Sequence, residues 1–160
     1  MKKISLILLN LFALLIYFNY SVAQKESILK DGKLVLLALA PVDPRSLMQG
    51  DYMTLNYELS TDIINQQLPK RGYAVLRVDD QQVGHLVRFQ AEREPLQQGE
   101  QLIAYSNPND WQLHIGAESF FFQEGHADRY SEAKYGGLRI DDKGNSLLIG
   151  LFDEHKKQIN

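Results

Sequence analysis

Residues able to do chemistry are sparse in this chain, and the most suggestive ones fall in two short stretches. Asp43, Arg45, Asp51 and Tyr52 lie within APVDPRSLMQGDY, and Glu124 and His126 lie within QEGHA. A carboxylate and a guanidinium in one proline-stiffened loop form either a structural ion pair or a charged binding site. Two carboxylates brought together by the fold, with Asp51 and Glu124 as the leading pair and Glu118 and Glu132 as further members, would suit general acid–base work. Tyr52 and His126 add a phenol and an imidazole beside them. His114 with Glu118, and Glu124 with His126 and Asp128, are acidic–imidazole clusters. Neither has a zinc spacing such as H-E-x-x-H, so no metal and no cofactor is expected. Glu124 and Asp128 are equally explained as negative charge at a helix start.

Ser46 is the candidate nucleophile. It stands four residues before Gly50-Asp51, an arrangement that resembles membrane-anchored Ser/Lys signal peptidases. In that pattern the spacing is longer and Met-Pro comes after the serine. Here no proline does, and no later lysine lies in an apolar strand where desolvation would make it a base. No nucleophile elbow, P-loop or dinucleotide fingerprint is present. No catalytic residue is assigned.

Composition removes further classes. The absence of cysteine rules out disulfides, thiolate chemistry, cysteine zinc sites and lipid attachment through an N-terminal cysteine. The net charge of −3 counts Lys2 and Lys3, so the chain beyond them is more acidic still. An acidic chain without a basic stripe excludes nucleic acid as a partner.

The elements that must position these residues begin with a membrane segment. Lys2 and Lys3 precede an apolar run, Ile4 to Ala23, close to the roughly 20 residues that cross a bilayer as a helix. The paired charges keep the N-terminus in the cytoplasm and place the rest of the chain beyond the membrane. Ser21-Val22-Ala23 also fits a signal-peptide cleavage site, so two outcomes remain: an anchor or a signal peptide over residues 1–24. Residues 25–160 then form one extracytoplasmic domain. Gln24 to Lys33 reads as a short stalk or turn. Leu34 to Ala40 is continuously apolar and ends at Pro41, as a strand covered on both faces does. From Tyr52 the side chains alternate, with Met53, Leu55, Tyr57 and Leu59 inward and Tyr52, Thr54, Asn56 and Glu58 on the other face.

Further along, Thr61 caps a short helix running to Leu68. Tyr73–Val78 and Val83–Ala91 form a hairpin about Asp79–Gln82, which puts His85 on a partly buried face. Gln101–Tyr105 and Trp111–Ile115 are short strands on either side of a turn. Ser119–Phe122 reads as β-rich and largely buried. Gly125–Tyr135 reads as a helix stopped by Gly136-Gly137. Leu138–Asp141 and Ser146–Phe152 close the domain as a hairpin. The expected fold is mainly β: a small closed or sandwich-like antiparallel sheet with one or two short helices, preceded by an N-terminal transmembrane helix.

Gly50-Asp51-Tyr52-Met53-Thr54-Leu55-Asn56-Tyr57 fits G-D-Y-x-x-L-x-Y and resembles the bacterial GDYXXLXY family, as does the preceding PVDPRSL. The later stretch ESFFFQEGHADRYSEAKYGGLRIDDKGNSLLIGL is similar to that family's second block, so the likeness runs from about Lys25 to Asp153. It implies a membrane-anchored extracytoplasmic domain, with an uncleaved helix in the inner membrane, and a multi-span membrane protein as partner. It supplies no catalytic residue. The function expected is therefore a binding or accessory module, working through some of Asp43, Arg45, Asp51, Tyr52, Glu124 and His126. An envelope hydrolase using Asp51 and Glu124 is the alternative. Signalling by this chain alone is disfavoured by the three residues that precede Ile4.

Overall fold

The computed structural model describes residues 2–40, 48–49, 52–61, 68–108, 113–123 and 125–159. It opens on a helix, α1 (Lys2–Asp31), of 30 residues. From Ile4 onward this helix is long and apolar enough to cross a membrane. The stalk expected at Gln24–Lys33 is instead the last two turns of α1. Gln24 to Asp31 holds no glycine or proline, and Lys30 complements the negative end of the helix. Gly32 stops it, its N–H donating to the Ile28 carbonyl at 2.9 Å.

The β-domain begins at once. Its strands are β1 (Lys33–Ala38), β2 (Met48–Gln49), β3 (Tyr52–Thr54), β4 (Arg71–Val78), β5 (Gly84–Gln90), β6 (Glu100–Ser106), β7 (Ser119–Phe121), β8 (Tyr135–Ile140) and β9 (Ser146–Phe152). A 3₁₀ turn covers Glu58–Ser60, and a one-turn helix, α2, covers Ala127–Tyr130. Among the described residues the strands form three antiparallel sheets, in the orders β1-β8-β9, β2-β3-β7 and β5-β4-β6. The chain is thus mainly β behind a long apolar helix, as its sequence pattern requires.

Single bridges stitch the three sheets together. Leu36 pairs with Val83, and its N–H reaches the Gln82 carbonyl at 2.7 Å. Leu39 pairs with Tyr57, and the Ala40 N–H reaches the Asn56 carbonyl at 2.8 Å. The Ala104 N–H donates to Gly144, in the turn between β8 and β9, at 2.8 Å. One main core fills the space between. Val35, Leu37, Leu138 and Leu151 enter from the first sheet, Met53 from the second, Ala74, Leu76 and Ile103 from the third. The strand β1 is covered on both faces, as its unbroken apolar run predicts. Val35 and Leu37 face the main core, while Leu36 joins Val83 and Phe152 in a second, smaller cluster. The predicted alternation after Gly50 also holds: Met53, Leu55, Tyr57 and Leu59 are all buried.

Several local expectations fail for physical reasons. The helix expected over Gly125–Tyr135 is only α2, and Gly136-Gly137 lies inside β8 instead of ending a helix. Both glycines are needed for close approach. A Cβ on Gly136 would sit 2.8 Å from Cε1 of Tyr57, and one on Gly137 would run into the Phe152 ring. His85 is 64% exposed at its side chain rather than partly buried. The cause is a register shift opposite Val75/Leu76, where β5 carries an extra residue at Val87. The bulge swaps the inward parity, so Leu86 and Phe89 both pack on the core while His85 and Val87 face outward. Of the expected Trp111–Ile115 strand, residues 111–112 lie outside the described residues, and His114 forms an antiparallel bridge with Ser106. Thr61 closes the 3₁₀ turn by donating its hydroxyl to the Glu58 carbonyl at 2.7 Å. The helix expected beyond it falls on residues 62–67, outside the described residues.

Candidate functional site

The described part of the signature, Tyr52 to Tyr57, is built against the later block that begins at Glu118. β3 pairs with β7 in the register Tyr52↔Phe121, Met53↔Phe120 and Thr54↔Ser119. The Leu55 N–H then donates to the Glu118 carbonyl at 2.7 Å. Tyr57, 1% exposed, donates its hydroxyl to the Ala117 carbonyl at 2.7 Å and lays its ring on Gly136. Burial, with the charge of Glu118 as the smaller cause, pushes this phenol far above its usual range. It therefore stays a donor at every ordinary pH. Leu55 and Tyr57 are structural parts of the signature, not chemical ones.

Tyr52 is different. It sits on the opposite face of β3, half-buried, with its ring 5.7 Å from that of Phe121. Phe121 is 73% exposed. Its neighbours Phe120 and Phe122 turn the other way and cluster with Tyr130 of α2, their ring centroids 4.9 and 5.5 Å from its own. The largely buried run expected at Ser119–Phe122 is only partly so: Phe120 and Phe122 are half-buried, while Ser119 and Phe121 are exposed. Three successive phenylalanines on a strand cannot share a face, so the middle one points outward. That alternation is the signal in the sequence that marks Phe121, and the expectation of a largely buried run overlooks it.

The remaining predicted site residues fall into separate groups. Asp43, Arg45, Ser46, Asp51 and Glu124 lie outside the described residues, so the Asp51–Glu124 pair does too. His126 is half-buried and precedes α2. Its N–H donates to the Gln123 carbonyl and its own carbonyl accepts from Arg129, both at 3.1 Å. Glu118 braces a turn: its Oε1 accepts the N–H groups of Ile115 and Gly116. That occupies the carboxylate in structure rather than proton transfer. Glu132 is exposed and lines a polar cleft of about 420 Å³ with Ser131, Lys134, Asp153, Glu154 and His155. Asp153 is committed within that cleft, since its Oδ1 accepts the N–H groups of His155 and Lys157 at 2.9 Å. Among the described residues no group of three or more His, Cys, Asp or Glu side chains could hold a metal ion.

Among the described residues Glu100 is a deeply buried charge, its side chain 1% exposed. Arg88 grips it in a fork, with Nη1 at 2.8 Å and Nη2 at 2.9 Å from its two oxygens. Arg88 Nη2 also donates to the Pro95 carbonyl, and the Gln97 N–H donates to Glu100. The Arg88 guanidinium first, and then the Gln97 N–H, hold the Glu100 carboxyl down at about 2. This pair pins the loop between β5 and β6. Asp79 does similar work in the β4–β5 turn, where the His85 ring at 3.0 Å and the Val83 N–H lower its pKa.

What unites these observations is the pairing of two separated blocks, with one aromatic pair left facing outward. No curated protein and no solved structure matches the chain. The GDYXXLXY protein family matches over residues 14–151, which takes in the end of α1, the signature octet and the closing hairpin alike. The chain therefore belongs to the GDYXXLXY family.

Proposed function

We propose that this chain is a membrane-anchored extracytoplasmic binding module that acts with an integral membrane partner. In this reading α1 is a single-pass inner-membrane anchor. Lys2 and Lys3 hold its N-terminus on the cytoplasmic side, and the β-domain stands on the other. The observation that carries the binding role is Phe121. A phenylalanine left 73% exposed beside Tyr52, on the strand pair built from the family's own signature, presents apolar area to water for no gain in folding. Aromatic side chains of this kind are the usual anchors of interfaces.

The reading is tested with a photo-reactive amino acid placed at Phe121 in intact cells, with the same residue at Lys143, exposed in the β8–β9 turn, as control. The expected result is an adduct with one integral membrane protein from position 121 and not from 143. Equal adducts from both positions, or none from either, would overturn it. Protease added from the outside should digest the β-domain, and the mature chain should retain its N-terminal residues by mass spectrometry.

A further inference from the structure

The junction between helix and domain contains no linker. α1 runs through Asp31, Gly32 is buried, and β1 begins at Lys33. Ile28, in the last helical turn, is itself buried, and the helix end touches β8 and β9. Gly32 is held on both sides. Its N–H donates to the Ile28 carbonyl at 2.9 Å, and its own carbonyl accepts Nη1 of Arg139, from β8, at 2.8 Å. Packing there is tight enough that a Cβ on Gly32 would lie 3.2 Å from the Ile140 nitrogen and 3.3 Å from the Arg139 Cβ. β1 then pairs with β8 from its first residue, Lys33 opposite Ile140.

From these contacts we infer that anchor and β-domain are one rigid body, clamped at Gly32 by Ile28 and Arg139. The inference rests on α1 being an anchor and adds a constraint on the partner. If the apolar span ends at Ala23, the eight residues Gln24 to Asp31 lift the domain only about 12 Å above the bilayer, at a helical rise of about 1.5 Å per residue. The domain has a fixed height and orientation. It can serve only a partner in the same membrane, presented to it side by side, and cannot reach out to a distant envelope layer as a Gly/Ser- or Pro-rich tether would allow.

The chain has no native cysteine, so paired spin labels can be placed freely. Glu26→Cys with Asp142→Cys spans the junction, and Asp80→Cys with Asp142→Cys lies within the domain. All three positions are exposed. In full-length protein in lipid nanodiscs, the junction pair should give one distance peak as narrow as the control pair's. Arg139→Ala should broaden it. Twelve Gly/Ser residues inserted after Asp31, a coil of about 19 Å r.m.s. length, should broaden it most. The insertion leaves every strand register intact, so it remains informative even if Arg139→Ala folds poorly. A wild-type peak as broad as the insertion variant's would overturn the inference, as would an Arg139→Ala peak no broader than wild type's. The Glu26 label remains after cleavage at Ala23. Failure of anchoring therefore shows as a shortened mass and loss from the nanodisc, separately from any loss of rigidity.

Discussion

Removing the Tyr57 hydroxyl should weaken the fold more than its single oxygen suggests. Tyr57 is 1% exposed and donates to the Ala117 carbonyl at 2.7 Å, in a segment that is itself buried. Tyr57→Phe keeps the ring and deletes the donor, leaving a buried carbonyl without it. Such a loss costs about 1–3 kcal/mol, more than the roughly 1 kcal/mol net value of an ordinary hydrogen bond. Gly136→Ala attacks the same contact from the other side. Its new methyl would lie 2.8 Å from Cε1 and 2.9 Å from the hydroxyl oxygen of Tyr57, and overpacking of this kind costs about 1–3 kcal/mol. Because the two residues touch, their effects should not add. The double variant should be less destabilised than the sum by an interaction energy of about 0.5–3 kcal/mol, since deleting the hydroxyl gives the ring room to move. Urea titrations of the four proteins in detergent, monitored by circular dichroism, would measure this. A Tyr57→Phe midpoint equal to wild type's would refute the claim that the hydroxyl is structural. Strict additivity in the cycle would refute the proposed contact.

Other outcomes rest on the same geometry. Glu100 has its carboxyl lowered from 4.5 to about 2, so its pairing stabilises the fold fully above pH 4.5 and is lost as pH falls toward 2. Acid titration of Glu100→Gln should show a flatter loss of stability across that window than wild type does. Gly144, at φ +86° in the β8–β9 turn, would force any Cβ into a left-handed conformation. Gly144→Ala should cost about 1–2 kcal/mol, read as a lowered urea midpoint. Phe121→Ser should leave stability nearly unchanged, because the ring is already in water, while abolishing whatever adduct the native surface supports in co-purification from cross-linked membranes.

Much of the architecture is legible from side-chain period alone. Met53, Leu55, Tyr57 and Leu59 announce an inward face, and the unbroken run Leu34–Ala40 announces a strand with two cores. The stretch from Asp142 to Asn145 announces a hairpin. In the structure Asp141 Oδ1 accepts the Lys143 and Asn145 N–H groups, which is why that turn forms. What misleads is any residue whose meaning depends on a distant partner. Gly136-Gly137 looks like a helix stop because nothing local reveals that the rings of Tyr57 and Phe152 will occupy the missing side-chain space. His85 is misplaced because a bulge at Val87 is invisible to a strict alternation. Of the site, Tyr52 is marked by its parity, and its partner Phe121 by its place in the middle of three phenylalanines that cannot share a face.

The glycine pair of β8 has a consequence for how the domain can change. Successive strand residues face opposite ways, so Tyr57 presses on β8 from one side at Gly136 and Phe152 from the other at Gly137. At that point the wall between the main core and the smaller cluster is bare backbone, one peptide thick. A larger residue at either glycine displaces a ring on its own side and, through the wall, the packing on the far side. The two clusters are therefore not independent compartments. A change in one of them is felt in the other, and substitutions at Tyr57, Gly136, Gly137 and Phe152 are coupled through this contact.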